Sequence, residues 1–381
     1  MGSLEVEVVT DDRAVLRLAP EWDELFAASA YATPYLSRAW AEPWWRHFGG
    51  PSGPAVLAGR STLRVATVRD GGRLVALAPW LAIDLGVGRA RFRTLVGIGQ
   101  ENADYGGVLL GDDPGRTAPV LLDHLEAELR GRCTILDCTR LAPEDPWLAA
   151  LRARFGRGRL ELRAVQDEDY PRLDLAAMED PVREIARRLK RNDVRRRWRR
   201  LDEAFGASFT YHRPGRAKED LATFLDLHDR RWATKDHPPA GLFSAPSGRA
   251  FVADAAEALD RAGLLRLSFV HAGDRPIVGR FGFEHRGVYH GVKSGWDPEF
   301  ATFGPGHLVV GRILERCAAE GLAAFDFMRG AGEHKAAWSG EDRTVSYWVV
   351  GPRDRAAPVR DRLMWGSLAL RTRRRAGGAA S

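Results

Sequence analysis

The chain has 381 residues, of which 45% are hydrophobic and 28% charged, a balance typical of soluble globular proteins with two or three domains. Its three cysteines exclude a disulfide framework, and no group of histidine, cysteine or carboxylate residues has metal-ligand spacing, so no metal is expected. No apolar run is long enough to span a membrane and no secretory signal opens the sequence, which predicts a cytoplasmic protein.

Two stretches of the sequence repeat each other. LRVATVRDGGRLVALAPWLA begins at Leu63, LRLSFVHAGDRPIVGRFGFE begins at Leu265, and the two align without a gap. Each has the pattern of a strand, a tight turn and a second strand. Each is followed by a helical pattern and a short apolar strand that contains an aspartate, Asp137 in the first half and Asp326 in the second. The repeat indicates a tandem duplication of one α/β unit, with predicted lobes at 1–165 and 166–350 and a basic tail at 351–381.

The net charge of +6 comes from the start of the second half. Between Arg183 and Arg200, nine arginines and one lysine face two carboxylates, so the rest of the chain is slightly acidic. Pro181 suits a first helical position, and we predict one long helix from about Pro181 to Ala204. Arginines at every fourth position form a stripe that is interpreted as a solvated face, a contact for donor phosphates or a grip on an RNA stem, with no DNA partner expected. The members of the stripe are Arg183, Arg187, Arg191 and Arg195.

Two glycines, Gly304 and Gly306, lie directly before a predicted helix in the second half. Backbone N–H groups at such a helix start can approach a diphosphate, and the helix dipole favours the anion. The matching place in the first half has the sequence GDDPG at 111–115, with two carboxylates where a phosphate would lie. This asymmetry predicts that one half binds a polyphosphate ligand and that the other is degenerate. The predicted contacts are Phe303, Gly304, Gly306, His307 and Leu308.

Several common enzyme motifs are absent from the sequence. The chain has no G-x-S-x-G, no Walker-type G-x-x-x-x-G-K-[ST], no G-x-G-x-x-G and no H-E-x-x-H. The hydrolase, kinase, dehydrogenase and metalloprotease classes are therefore disfavoured.

Three sequence blocks carry a family resemblance: TPYLSRAWAEPWWRHFG, ENADYGG and GPGHLVVGRILERCAAEGLAAFDFMRGAGEHKAAW. They resemble acetyltransferases associated with cellulose biosynthesis, which are members of the GNAT acyltransferase superfamily. That family is similar to the Fem-type peptidoglycan aminoacyltransferases, which also have two GNAT-like lobes. The resemblance spans roughly residues 20–340 and implies an α/β fold of two tandem GNAT-like lobes, each a mixed central sheet flanked by helices. The sequence departs from the family pattern at His334, where an aromatic residue is expected before the lysine.

The resemblance implies an N-acyltransferase that uses acetyl-CoA or another acyl-CoA as co-substrate. The diphosphate would lie on the turn Gly304–Leu308, and the pantetheine arm would run beside the strand that contains Tyr289, Val292 and Lys293. The first lobe would be degenerate and face the acceptor, an amine of a small molecule, an amino sugar, or an amino acid or peptide. Two alternatives stay open: a Fem-type aminoacyltransferase that uses aminoacyl-tRNA, which the arginine stripe favours, and a catalytically inactive GNAT-like binding protein.

Acylation of an amine requires a base for the ammonium group and stabilisation of the leaving thiolate. The base candidates are His290, Asp326, Glu333 and His334. His290 on a strand can equally be structural, and the recurrence of Asp326 as Asp137 favours a structural role for both. The candidates for binding the acceptor are Asp104, Tyr105, Lys335, Trp338, Arg191 and Arg195, around an active centre that we expect between the lobes.

Overall fold

The structure is a computed structural model that describes residues 3–49, 61–87, 90–131, 135–156, 158–234, 241–330, 332–340 and 343–353, apart from the side chains of 85–87, 90–92, 131, 333 and 334. The chain forms two compact units. The first comprises Met1–Glu168 and the strand that continues from Val345, and the second comprises Asp169–Thr344. The predicted basic tail lies outside the described residues from position 354 onward.

The first unit combines strands and helices. Its strands are β1 (Leu4–Val9), β2 (Thr62–Leu63), β3 (Val65–Asp70), β4 (Arg73–Ala78), β5 (Trp80–Val87), β6 (Ala90–Gly97), β7 (Leu109–Leu110), β8 (Ile135–Leu141), β9 (Leu160–Asp169) and, late in the chain, β16 (Thr344–Pro352). Its helices are α1 (Asp12–Arg17), α2 (Ala19–Ala28), α3 (Arg38–Trp44), α4 (Pro114–Gly131) and α5 (Pro146–Phe155). The strands form an antiparallel sheet in the order β1-β3-β4-β7 and a mixed sheet in the order β2-β5-β6-β8-β16-β9.

The two sheets of the first unit separate at Pro79, between β4 and β5. Proline has no N–H to donate to a neighbouring strand, so it interrupts a ladder. Its carbonyl still accepts the N–H of Ile98 at 2.7 Å. At the matching position the second unit has Phe281, where β13 continues to His285 but its register with β14 shifts.

Strand β16 belongs to the first unit, although sequence analysis assigned residues up to 350 to the second lobe. It lies between β8 and β9 in the sheet order, and its residues Ser346 and Val350 pair with Leu141 and Leu136 of β8. The chain therefore returns to the first unit after the second has been completed.

The second unit has one sheet. Its strands are β10 (Arg172–Asp174), β11 (Ala207–Thr210), β12 (Leu265–Ala272), β13 (Arg275–His285), β14 (Val288–Trp296) and β15 (Ala324–Asp326). Its helices are α6 (Pro181–Arg191), α7 (Val194–Phe205), α8 (Ala217–Ala233), α9 (Pro246–Arg261), α10 (Pro305–Ala319) and α11 (Glu333–Ala336). The sheet order is β10-β15-β14-β13-β12-β11, in which only β14 and β15 are parallel among the described pairs. Helices α6, α7 and α10 bury a continuous apolar core with this sheet, and α8 packs on β13 and β14.

The predicted duplication is visible in the two hairpins, β3–β4 and β12–β13. In both, the strand register shifts at the same point, between Val68 and Arg69 in the first and between Val270 and His271 in the second. A β-bulge is a specific local feature that adds one residue to a strand. Its recurrence at equivalent positions supports the prediction that both hairpins derive from one ancestral unit.

The two predicted strand aspartates also occupy equivalent surroundings. The Oδ1 atom of Asp137 accepts the N–H of Thr139 at 2.8 Å, and the Oδ1 atom of Asp326 accepts the N–H of Met328 at 2.7 Å. Thr139 and Met328 have φ angles of 56° and 60°, which residues other than glycine seldom adopt. Each carboxylate therefore holds a residue in a left-handed conformation, which lies inside β8 in the first unit and just after the end of β15 in the second.

The prediction of one long helix from Pro181 to Ala204 is wrong. The segment forms α6 and α7, because Asp193 has a φ of 59°, a conformation that a right-handed helix cannot contain. The arginine stripe is divided at this break, so that Arg191 ends α6 and Arg195 lies on α7.

Replacing Asp137 with alanine should lower the free energy of unfolding by about 1–3 kcal/mol, because the N–H of Thr139 and the hydroxyl of Tyr347 would lose a buried acceptor. Asp137→Asn keeps one carbonyl oxygen and should cost less. Asp123→Ala on α4, where the side chain is 68% exposed, is the control and should change stability by less than about 0.5 kcal/mol. Equal denaturant midpoints for the wild type and Asp137→Ala would contradict this role.

Candidate functional site

Strands β14 and β15 separate after a short pairing. They are paired only from Val288 to His290, opposite Ala324 to Asp326. Strand β14 continues to Trp296, whereas β15 ends where the chain turns at Met328. In the described structure, residues 291–296 therefore have no strand neighbour on that side. An open strand edge presents backbone groups that a ligand can engage.

Helix α10 begins a short distance beyond the end of β14, after a 3-10 helix at Pro298–Phe303. Its N-cap residue is Gly304, with a φ of 62°, and no side chain caps the helix. A Cβ atom at Gly306 would meet no other heavy atom within 4 Å, so the space in front of this backbone is open. Uncapped N–H groups and the positive end of the helix dipole favour an anion here.

An arginine adds positive charge at the same place. The guanidinium group of Arg197 on α7 packs so closely against Gly304 that a Cβ atom there would overlap it. Its Nε atom has no hydrogen-bond partner among the residues that the structure describes. Sequence analysis did not single out Arg197, because one arginine in a run of nine carries no distinguishing signal. The break at Asp193 and the packing of α7 on α10 bring it to this position.

The equivalent helix of the first unit begins differently. Helix α4 starts with Pro114 and Gly115, the same pair of residue types that starts α10. In α4, however, the Oδ1 atom of Asp113 accepts the N–H of Arg116 at 3.0 Å. The chain's own carboxylate therefore caps α4, as an anion would.

The other predicted donor contacts divide into core and surface residues. Tyr289 and Leu308 are buried in the core of the second unit, and the ring of Tyr289 stacks on Phe325 with a centroid distance of 4.8 Å. Val292 and Lys293 are half-buried on the separated part of β14. The ammonium group of Lys293 lies 5.5 Å from the ring centroid of Trp232.

Two further predicted contacts flank the start of α10. The ring of Phe303 lies against the guanidinium group of Arg200, at 5.3 Å from the ring centroid. Burial, followed by the nearby charge of Arg197, lowers the pKa of His307. Both side chains thus lie beside arginines of α7.

The structure brings together two of the predicted base candidates, His290 and Asp326, which are opposite each other on β14 and β15. Arg172 of β10 is the next residue in the row, and Nη1 of Arg343 lies 3.7 Å from Oδ2 of Asp326. Burial, followed by the charges of Arg172 and Arg343, lowers the pKa of His290 to about 3. A histidine with this pKa is neutral at pH 7 and is too weak a base to be well matched to an ammonium group.

The other two base candidates, Glu333 and His334, begin α11, and their side chains lie outside the described residues. The helix itself is tied to the turn that follows β15. The Nζ atom of Lys335 donates to the carbonyl oxygens of Met328, at 3.0 Å, and Arg329, at 2.7 Å. Lys335 therefore fixes the start of α11 beside the end of β15.

The remaining acceptor candidates are distributed over both units. In the first unit, the hydroxyl of Tyr35 donates to Asp104 at 3.3 Å, and Tyr105 is buried. In the second unit, Trp338 is buried, with its ring centroid 6.0 Å from that of His307. The two candidate arginines differ: Arg191 donates to the carbonyl oxygen of Ala337 at 3.3 Å, and Arg195 is exposed on α7.

Two further observations concern metal sites and membrane-spanning helices in the described residues. In the part of the chain that the structure describes, no group of three or more histidine, cysteine or carboxylate side chains could hold a metal ion. No helix among the described residues is both long enough and apolar enough to cross a membrane.

The low pKa of His290 predicts a pH dependence of stability. Unfolded histidine binds a proton near pH 6.5, whereas native His290 stays neutral to about pH 3, so the unfolded state gains protons as the pH falls. Between pH 7 and pH 5, the wild type should therefore lose about 2 kcal/mol more unfolding free energy than His290→Gln. Denaturant titrations at both pH values measure this difference, which should vanish above pH 7. Parallel curves for the two proteins down to pH 5 would show that His290 is protonated in the native state.

Sequence comparison identifies a domain in the second unit. Residues 188–336 match the family described as acetyltransferase (GNAT) domain. The matched range includes the two hairpin strands β12 and β13, the separating strands β14 and β15, and the uncapped helix α10. No curated protein matches the chain in sequence.

Solved structures share the fold over nearly the whole chain. FemX matches with a TM-score of 0.60 and 12% identity, over 93% of this chain and 98% of its own. The C-terminal domain (DUF2156) of a putative lysylphosphatidylglycerol synthetase from Agrobacterium fabrum matches with a TM-score of 0.55 and 9% identity, over 93% and 96%. L-PGS from Bacillus licheniformis matches with a TM-score of 0.50 and 14% identity, over 88% and 98%. The predicted GNAT-like α/β fold is confirmed, and residues 188–336 are similar in sequence to the GNAT acetyltransferase domain family.

Proposed function

We propose that the protein is an acyl-CoA-dependent N-acyltransferase whose donor binds to the second unit. The observation that carries this proposal is the difference between two equivalent helix starts. Helix α4 is capped by Asp113, whereas α10 begins at Gly304 without a side-chain cap. Arg197 adds a positive charge at α10. An anionic ligand fits the second of these places and is excluded from the first by the carboxylate of Asp113.

The residues around α10 suit the diphosphate of an acyl-CoA. The space at Gly306 is open, and the backbone N–H groups at the helix start, with Arg197, would hold the phosphates. The open edge of β14 from Gly291 to Trp296 would hold the arm through backbone groups. When bound, acyl-CoA supplies an activated thioester. We take the transferred acyl group to be acetyl.

The chain must also provide for the proton of the amine. Asp326 is committed to the N–H of Met328, and His290 is a weak base. Glu333 and His334 stay our candidates for the base, because Lys335 anchors their helix beside the end of β15. The acceptor would be an amine of a small molecule, an amino sugar, or an amino acid or peptide.

We also propose which family within the GNAT superfamily the protein resembles most in function. The three sequence blocks that resemble the cellulose-biosynthesis-type acetyltransferases support that family. In this interpretation the first unit has lost donor binding and serves the acceptor. Its self-capped helix α4 supports the loss of donor binding.

Aminoacyl-tRNA is the second candidate donor. The exposed arginines of α6 and α7 favour it, since a basic surface can track phosphates. These are Arg183, Arg187, Arg191, Arg195, Arg196, Arg199 and Arg200. If tRNA is the donor, Arg195→Glu should weaken its binding and reduce the dependence of that binding on salt, while acetyl-CoA should not bind.

Gly306→Asp should abolish binding of acetyl-CoA in calorimetry, because it adds a carboxylate where the diphosphate would lie. The substitution meets no neighbouring atom and places an acidic residue in a first helical turn, so the fold should be unaffected. Gly115→Asp makes the equivalent change at the start of α4 and is the matched control. It should leave acetyl-CoA affinity unchanged.

Equal acetyl-CoA affinities of the wild type and Gly306→Asp would refute the donor site. Wild-type protein that binds aminoacyl-tRNA, with no affinity for acetyl-CoA, would establish the second candidate instead. Acetyl-CoA that binds without turnover on any amine would favour a catalytically inactive binding protein.

Alanine at the true base should lower kcat by about 10²–10⁴-fold while acetyl-CoA affinity stays nearly the same. Glu333→Ala and His334→Ala should be compared with each other and with Glu320→Ala, an exposed substitution just after α10. Full turnover in both Glu333→Ala and His334→Ala would show that the amine loses its proton by another route, such as water.

A further inference from the structure

Two arginines of the second unit, Arg280 on β13 and Arg231 on α8, meet at the separated part of β14. Nη1 of Arg280 donates to Oγ of Ser294 at 2.8 Å, and Nη2 donates to the carbonyl oxygen of Gly291 at 2.9 Å. Nη1 of Arg231 donates to the carbonyl oxygen of Ser294 at 2.8 Å. Both guanidinium groups therefore bind the segment of β14 that β15 no longer covers.

The interactions that the structure shows for these two guanidinium groups involve carbonyl, hydroxyl and aromatic groups and each other, and no carboxylate. Arg280 is only 7% exposed, its Nε atom has no hydrogen-bond partner among the described residues, and it lies 5.6 Å from the ring centroid of Phe325. Arg231 is half-buried and lies 5.8 Å and 5.9 Å from the ring centroids of Trp232 and Trp296. Neither arginine forms an ion pair with a carboxylate in the part of the chain that the structure describes.

Several other arginines of the chain form ion pairs with a carboxylate. In the first unit, the buried Arg140 pairs with Glu168. Arg230, the residue next to Arg231 on α8, pairs with Asp297 at 3.1 Å. Among the described residues, Arg280 and Arg231 have no such carboxylate partner.

The electrostatics of this place favour an added anion. Burial lowers the pKa of Arg280, although the nearby Tyr289 hydroxyl raises it, and the charge of Arg231 lowers it further. Burial alone lowers the pKa of Arg231. Both side chains nevertheless stay charged at neutral pH. Two like charges that have partly lost their water are unfavourable without a counterion.

The strand also makes room for this arrangement. A Cβ atom at Gly291 would overlap the guanidinium group of Arg280, so the strand has a glycine where the side chain passes. The hydroxyl of Ser294 accepts from Arg280 and keeps its own hydrogen to donate.

We propose that Arg280, Arg231 and Ser294 form a subsite for a carboxylate group of a substrate. Guanidinium groups present forked N–H donors that match two carboxylate oxygens, and the Ser294 hydroxyl adds a third donor group. The diphosphate of the donor is assigned to the start of α10, so this carboxylate is a second anionic group. It is carried either by the acceptor, as in an amino acid, or by the acyl group, as in a dicarboxylic acyl-CoA. The assignment to a substrate rests on the proposed function, which places the acyl arm along β14.

The test compares ligands that differ only by a carboxylate, using the full-length protein. On the acceptor side, the common amino acids are compared with the amines formed by their decarboxylation. On the donor side, succinyl-CoA is compared with propionyl-CoA. Calorimetry should show that the carboxylate-bearing member of at least one pair binds about 10- to 100-fold more tightly to the wild type. The side on which this preference occurs identifies the source of the carboxylate.

Arg280→Met and Arg231→Met should each remove this preference, so that both members of a ligand pair bind the variant with similar affinity. Arg230→Met, at the neighbouring ion-paired position, should retain the preference. Methionine fills similar space without a charge, so the Tm of Arg280→Met without ligand should equal or exceed that of the wild type. If Arg280→Met does not fold, the half-exposed Arg231→Met still decides the outcome.

The proposal is overturned if no ligand pair shows a preference in the wild type, or if the preference survives in the arginine variants. A lower Tm of Arg280→Met with an unchanged ligand preference would assign these arginines a structural role and overturn it as well. Failure of acetyl-CoA binding with a retained carboxylate preference would instead refute the donor assignment and leave the subsite intact.

Discussion

The early end of β15 is the constraint on which the candidate site depends. The carboxylate of Asp326 holds the N–H of Met328, whose φ of 60° turns the chain out of the sheet. Strand β14 therefore loses its neighbour after His290, although it continues to Trp296. Because β14 leads through a single 3-10 helix to α10, the open strand edge and the uncapped helix start follow each other in the chain. The hydrogen bond from the Met328 N–H to the Asp326 carboxylate thus accompanies the end of the short strand and the space in which a ligand could lie.

The first unit retains the aspartate contact and the left-handed residue within a strand that continues to Leu141, and it satisfies its polar groups internally. Asp137 holds the N–H of Thr139, and its other oxygen accepts from the hydroxyl of Tyr347 on β16. Asp113 takes the place at α4 that an anion would occupy at α10. A duplicated unit can therefore keep the features that its fold requires and replace a ligand by its own side chains. The strand aspartate therefore recurs in both units, whereas α10, unlike α4, begins without a side-chain cap.

The sequence predicted the features that depend on local pattern. The hairpins, the helix starts and the strand aspartates follow from turn residues and hydrophobic periodicity within short windows. The break between α6 and α7 was missed because Asp193 adopts a left-handed conformation that its neighbours in sequence do not specify. The placement of β16 beside β8, and the approach of Arg197 to Gly304, depend on contacts between residues far apart in the chain. Among the base candidates, only the structure distinguishes His290, since its low pKa arises from burial and from two arginines distant in sequence.

The two units differ in the partners of their buried arginines. In the first unit, the carboxylate of Glu168 compensates the charge of Arg140 within the chain, so the pair needs nothing from outside. In the second unit, Arg280 and Arg231 are held by carbonyl, hydroxyl and aromatic groups, which satisfy some of their N–H donors but do not neutralise their charge. Apolar side chains of similar size would suit this position better if stability alone mattered. Among the described residues no carboxylate accompanies these two charges beside the open strand, and the anionic group that we propose to arrive with the substrate would complete the site.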